Sequence, residues 1–176
     1  MFGRIIVATD LHASTRMSLR AACDLLHSEG QVLLVHIIRP LAGLPVADRP
    51  RVYARVKANA DVQMLDLASW FKRERGVDIV CLTATGNPGQ EIARIAAERE
   101  ADLVVLAHDP VADPATLGSV SYQVAHLAPC AVLVLKLEGP ATVDRPRAAK
   151  ASRRVPRPSR PRGQSGAVPG TPAHVD

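Results

Sequence analysis

Aromatic side chains are scarce, at 3% of the 176 residues. A core built without them must be aliphatic, and the 47% apolar content supplies the Val, Ile, Leu and Ala for it. Cysteine is sparse too. Cys23, Cys81 and Cys130 stand far apart with no CxxC pair, so neither a clustered zinc site nor a disulfide framework is encoded, and no metal site is expected. Buried, reduced thiols are the expectation. No run approaches the ~20 consecutive apolar residues of a membrane-spanning helix. The opening "MFGRIIVATD" has too short an apolar run for a secretory leader and no cleavage pattern, so a cytoplasmic protein is expected.

Charge is present but segregated. The formal net charge is +5, yet residues 140–176 hold eight basic and two acidic residues, leaving −1 on residues 1–139. Half of the 14 prolines also fall in 140–176, mixed with Arg, Ser, Gly and Ala and no aromatic. Such a composition buries too little surface to offset the entropy of ordering it. The expected organisation is one folded domain over 1–139 and a disordered basic Pro/Arg-rich tail over 140–176. The eight cations from Arg145 to Arg162 suit weak, nonspecific contact with nucleic acid or an anionic surface. Without aromatics to stack on bases, a solubilising extension is the favoured reading.

Within 1–139, strand and helix signals alternate. "RIIVATD" (4–10) is a short β-branched run, after which Ser14 is expected to cap a helix carrying Leu19, Ala22, Leu25 and Leu26, with Gly30 as its stop. "QVLLVHII" (31–38) is continuously apolar, as a strand covered on both faces should be. A long helix from Asp48 to Arg75 has an inward stripe of Val56, Ala60, Met64, Leu67 and Phe71, and Gly76 ends it. "VDIVCLTA" (77–84) is a third strand. Pro88 opens a helix through Arg99 with Ile92, Ile95 and Ala96 inward. "ADLVVLA" (101–107), a helix from near Leu117 to Leu127, and "CAVLVLK" (130–136) complete the series. Five apolar strands with four intervening helices predict an α/β fold, a parallel, doubly wound, Rossmann-like sheet with helices on both faces. Ligands bind such sheets beyond the carboxyl ends of the strands, where strand order reverses. The candidate strand ends are 8–10, 36–38, 83–86 and 107–109.

The segments "IIVATD", "VLLVHII", "GNPGQEIARIAAEREADLVVLA" and "LGSVSYQVAHLAPCAVLVLK", in this order, resemble the universal stress protein family over residues 3–137. The resemblance implies strand order 3-2-1-4-5, a switch point between the first and fourth strands, and a homodimer through the last strand. It also implies a nucleotide site. Nucleotide-binding members carry Gly, two residues, Gly, nine residues, Gly, then Ser or Thr. Carried over here, the first glycine falls on Ala107 and the second on Pro110, and only seven residues, Val111 to Leu117, precede Gly118. Gly118, Ser119 and Ser121 match. Asp10 matches the acidic residue near adenine and ribose, and Ile37 the apolar residue flanking the base.

A glycine loop holds phosphate with backbone N–H groups turned toward the oxygens. Pro110 and Pro114 supply none, and Asp109 and Asp113 add charge of the wrong sign. Asp10, Ile37, Gly118, Ser119 and Ser121 are therefore expected to form a residual nucleotide site, with ATP or AMP bound weakly and no cofactor required. Asp10 has an equal alternative, capping the first helix. His36 is expected to be a hydrogen-bonded histidine at a strand end. His108-Asp109 invites an acid–base role, but no nucleophile stands at a recognisable spacing, and His12 is the one residue that joins His108 only if the fold brings them together. The function expected is a non-catalytic stress-response domain acting through dimerisation and protein contacts. The alternatives are an adenine-nucleotide sensor and, third, a crevice hydrolase.

Deleting residues 140–176 should leave the melting temperature of the remainder nearly unchanged. Any binding of the full chain to duplex DNA should disappear with the tail. Its log–log salt slope should be no steeper than about −7, the limit for eight cations each meeting a phosphate. Retention of similar DNA affinity by the truncated protein would place the site on the fold and refute this division.

Overall fold

The computed structural model describes residues 1–43, 45–108 and 118–136. The readings made above for the loop at 109–117 and for the tail at 140–176 lie outside those residues. The elements run β1 (Phe2–Thr9), α1 (Thr15–Leu25), β2 (Leu26–Ile38), α2 (Arg49–Arg75), β3 (Ile79–Thr85), α3 (Pro88–Glu98), β4 (Leu103–His108), α4 (Ser119–Leu127) and β5 (Ala131–Lys136). The five strands form one sheet in the order β3-β2-β1-β4-β5, every pairing parallel. The expected architecture and strand order are those observed.

Parallel strands covered on both faces need apolar residues at every position, and the central strands show why. On β1, Ile5 and Val7 join a cluster with Leu19 and Ala22 of α1 and Met64 and Phe71 of α2. The alternate residues, Ile6 and Ala8, join Ile92, Ile95 and Ala96 of α3 and Val124 of α4. β4 divides the same way, Leu103 and Val105 to one face, Val104 and Leu106 to the other. Each of the Val, Leu, Ile, Met and Phe side chains contributes roughly 1.5–3 kcal/mol on burial. Helices α1 and α2 thus cover one face and α3 and α4 the other, so the strand order reverses between β1 and β4.

The α2 stripe is close to the expected one. Ala60, Met64 and Phe71 are buried, Val56 and Leu67 half-buried, and Ala68 joins them. Gly76 ends α2 in the left-handed region, φ 67°, and its N–H donates to the Lys72 carbonyl. Pro88 opens α3 behind Asn87, whose Oδ1 accepts from the N–H groups of Gly89 (3.1 Å) and Gln90 (3.4 Å).

Two expectations fail at α1. Ser14 occupies the N-cap position but already has helical angles (φ −58°, ψ −25°), and its side chain makes no capping hydrogen bond. Gly30 does not stop the helix. The chain turns extended at Leu26 and enters β2 at once, and β2 pairs with β1 first at Phe2–Leu26 and then at Arg4–Gln31. The irregularity between these pairs is where Gly30 is needed. A Cβ there would lie 2.7 Å from Leu26 Cδ1 and 2.9 Å from the Gly3 carbonyl oxygen. The glycine answers a close backbone approach and not a helix end. The same end of the sheet is held by Asp102, whose Oδ2 accepts from the N–H groups of Gly3 (2.9 Å) and Arg4 (2.8 Å).

Helices α3 and α4 meet at Gly89, where a Cβ would lie 2.5 Å from Gln123 Cβ and 2.2 Å from its Oε1. Gly89→Ala should destabilise the fold by about 1–3 kcal/mol, because Gln123 Cβ is fixed to the α4 backbone and cannot swing away. Gln123→Ala in the same chain should relieve only part of that loss. Unchanged chemical unfolding of Gly89→Ala would show that the two helices slide freely.

Candidate functional site

Beyond the carboxyl ends of β1, β2 and β4 lies a cavity of about 420 Å³, a volume in the range of small-molecule sites. Its floor is apolar: Ala8 of β1, Val35 and Ile37 of β2, and Leu106 of β4. Helix α1 contributes Thr15 and Ser18, with Ser14 just before it. Pro88 and Ile92 of α3 and Val120 and Ser121 of α4 close the opposite side, and Leu41, Val56 and Arg39 complete the wall. Among the described lining residues, Asp10 is the one carboxylate and Arg39 the one guanidinium, both exposed, and His36, half-buried, is the one imidazole.

The turn after β1 is built from side-chain hydrogen bonds. Thr9 Oγ1 accepts from the Leu11 N–H at 2.8 Å and lies 2.6 Å from Thr15 Oγ1. These contacts hold Leu11 at φ 66°, an uncommon angle for a residue with a side chain. Asp10 Oδ1 accepts from the His12 N–H at 3.1 Å. That bond closes a local turn before α1, so Asp10 stabilises the approach to the helix without capping it. The carbonyl of Thr9 lies 2.9 Å from His36 Nδ1. A carbonyl only accepts, so Nδ1 carries a proton. His36 is thus the hydrogen-bonded strand-end histidine that was expected.

Of the residues singled out in the sequence, Asp10, Ile37 and Ser121 line the cavity together. Ile37 and Ser121 are buried. Gly118 and Ser119 are not among the lining residues: Gly118 is the N-cap of α4 and Ser119, exposed, begins the helix. A Cβ on Gly118 would stand 3.3 Å from His108 Nδ1, so the glycine leaves room for that ring. His12 does not line this cavity. It lies instead in a shallow groove between α1 and α2 with Arg16, whose guanidinium stands 5.3 Å from the Trp70 ring centroid. Among the described residues no group of His, Cys, Asp and Glu is arranged to hold a metal ion.

Four lining hydroxyls went unnoticed as site residues: Thr9, Ser14, Thr15 and Ser18. A signal for two of them was present. The buried stripe of Leu19 and Ala22 extends one turn toward the helix start through Ser18 and Thr15, and a hydroxyl at a buried helix position is an anomaly. Thr15 is explained by Thr9. Ser18 is 1% exposed, and its Oγ has no hydrogen-bond partner among the described residues.

The thiols are only partly buried, and none is disulfide-bonded. Burial still pushes Cys23, Cys81 and Cys130 above the ordinary thiol value; at Cys23 the Arg75 charge opposes that effect without cancelling it. Protonated thiols are poor nucleophiles. None of the three lines the cavity.

The fold is a doubly wound α/β sheet with an apolar, hydroxyl-edged cavity at its switch point, the place where sheets of this kind bind their ligands. The chain belongs to the universal stress protein family, whose profile matches residues 1–136. No curated protein matches it by sequence. Among solved structures it is similar to the universal stress protein UspA from Lactobacillus plantarum, at 20% identity and a TM-score of 0.64, covering 75% of this chain and 96% of that one. It is similar to the universal stress protein from Archaeoglobus fulgidus in complex with dAMP, at 20% identity and a TM-score of 0.53, covering 76% and 97%. A universal stress protein in complex with cAMP is 23% identical, with a TM-score of 0.50, covering 76% and 96%. At these identities the likeness is one of fold. No helix among the described residues is long and apolar enough to cross a membrane.

Proposed function

We propose that this chain is a non-catalytic cytoplasmic stress-response domain that works as a homodimer through contacts with other proteins, and that its cavity holds ATP weakly or not at all. The observation that carries this reading is a mismatch between the two ends of one site. The base end has a built cavity with Asp10, Ile37 and Ser121 on its wall. The phosphate end has Ala107 and Pro110 where the family's signature has glycines, and two residues fewer before Gly118. Each lost N–H bond to a charged group is worth roughly 1.5–3 kcal/mol, so two missing donors cost about 3–6 kcal/mol, or on the order of 10²–10⁴ in affinity. Asp109 and Asp113 add negative charge to the same stretch of sequence, and a like charge about 4 Å from a phosphate opposes it by about 1 kcal/mol in water.

Absence of catalysis is supported by how the cavity's candidate groups are engaged. Asp10 bonds to the His12 N–H and His36 to the Thr9 carbonyl, and among the described residues neither is hydrogen-bonded to a lining hydroxyl that could serve as a nucleophile. Dimerisation is supported by β5, an apolar edge strand, whose backbone groups on one side have no neighbour in the sheet. Tyr122 and Leu127 of the adjoining α4 are exposed. The second reading is an adenine-nucleotide sensor. It is favoured by the complexes of two similar structures with dAMP and cAMP.

Calorimetry of the unmodified protein with ATP should give a dissociation constant no tighter than about high micromolar. Replacing residues 107–110 by Gly-x-x-Gly and inserting two residues before Leu117 should tighten it. Low-micromolar binding by the unmodified chain would favour the sensor instead.

Val134→Pro removes one N–H from β5 and should shift the native mass from dimer toward monomer. An unchanged mass would mean that the subunits, if they associate, do so elsewhere.

A further inference from the structure

We infer that the groove between α1 and α2 is a docking surface for a short acidic segment of a partner protein, with Trp70 as its apolar anchor and Arg16 and Arg73 as its carboxylate receptors. This rests on the proposal that the domain acts through protein contacts, and it names the surface and the chemistry of the partner.

The groove has a volume of about 600 Å³ and shares no lining residue with the switch-point cavity. Leu11, Leu67 and Trp70 supply its apolar surface. Trp70 is half-buried, and its ring meets the buried Phe71 edge-on, with centroids 4.9 Å apart and an interplanar angle of 77°. A ring already fixed against the core loses little freedom when a partner covers it. Aromatic anchors of this kind carry much of the energy of protein interfaces. Leu11 reaches the groove from a backbone at φ 66°, tied by its N–H to the Thr9 hydroxyl. Such an angle persists only where the surrounding structure enforces it.

The charges choose the partner. The last turn of α2 carries Lys72, Arg73 and Arg75, as suits the negative end of a helix. Lys72 is paired with Asp78 and Arg75 with Asp24. Arg73, the one of the three that lines the groove, has no side-chain partner among the described residues. Arg16 meets no carboxylate among them either. Its guanidinium stands over the Trp70 ring, and a guanidinium stacked on an aromatic face keeps its in-plane N–H donors for a carboxylate. Two guanidiniums against the one carboxylate of Asp66 leave the groove net positive, whereas residues 1–139 as a whole carry −1. Recognition of acidic segments by clustered arginines is a recurring mode of peptide binding. A peptide fits better than a nucleic acid, because Asp66 repels a phosphate but accepts a peptide N–H. Gln63 and Ser69 add donors and acceptors that match backbone amides. The tail of this chain is not the occupant: its eight cations from Arg145 to Arg162 have the sign of the groove.

The chain has one tryptophan, so the emission of Trp70 reports on the groove in the full-length protein without a label. The probe is a short end-blocked peptide of Glu, Leu and Ala, compared with its Lys counterpart and with a short single-stranded oligothymidine, and affinities are taken by calorimetry. The Glu peptide should change Trp70 emission and bind at least about tenfold more tightly than the Lys peptide. Arg73→Gln and Arg16→Gln should each weaken it by about three- to tenfold. Lys72→Gln removes the same charge one residue from Arg73, from a side chain paired outside the groove, and should change the affinity by less than about twofold. Undiminished binding by both arginine variants, as a peptide held on the basic tail would give, would overturn the inference. So would an equal loss in Lys72→Gln and Arg73→Gln, which would reduce the effect to overall charge, or binding without a change in Trp70 emission. A Trp70 response to oligothymidine and none to the Glu peptide would assign the groove to nucleic acid instead. No binding of the Glu peptide up to about 1 mM would end this inference, while the proposal of protein contacts would pass to other exposed surfaces, such as that of Tyr122 and Leu127.

Discussion

The fold depends on β1 being buried on both of its faces. Ile5 and Val7 must find one apolar layer and Ile6 and Ala8 another, because successive side chains of a strand point to opposite sides. With β2 on one flank and β4 on the other, the strand has no exposed edge. The helices that follow are forced to divide, α1 and α2 to one layer and α3 and α4 to the other. The chain leaves β1 and β4 in opposite directions, and the space between their carboxyl ends cannot be filled by a connecting helix. The cavity follows from how the central strand is covered.

What lines that cavity is governed by hydrogen-bond accounting. The turn after β1 places Leu11 at a positive φ and keeps it there with the Thr9 hydroxyl, which also meets Thr15. The Thr9 carbonyl takes the Nδ1 proton of His36. Thr9, Thr15 and His36 are thus engaged within the protein. The Oγ of Ser18 is buried and has no hydrogen-bond partner among the described residues.

Most of the architecture was legible because parallel strands and two-layer helices write strong periodic signals. The apolar runs at 31–38 and 101–107, the α2 stripe and the Asn87-Pro88 start of α3 needed only local rules. Gly30 misled because a glycine after a helical pattern is usually a cap, and the backbone contact that requires it, with the Gly3 carbonyl, joins residues distant in sequence. Ser14 misled for a related reason: residue type favours a cap, but the backbone was already helical. Of the site, Asp10 and Ile37 could be placed by family resemblance, together with Ser121. Thr15 and Ser18 could not, because hydroxyl residues on a short helix read as ordinary polar positions until the neighbouring layer is known, nor could Thr9, a polar residue at the end of a strand.

The position of β1 also bears on how the protein is made. Its Ile5 pairs with Val32 on one side and with Leu103 on the other. On the ribosome the first of these partners emerges early and the second only after most of the domain has been synthesised. At about 5–20 residues per second the interval lasts several seconds. During it β1, β2 and β3 can assemble under α1 and α2, while Ile6, Ala8, Leu33 and Val35 wait for the layer that α3 and α4 will bring. The nascent half-domain is sticky on one face and closed on the other. The order of translation therefore makes α3 and β4 the segments whose timely arrival keeps the growing chain out of aggregates.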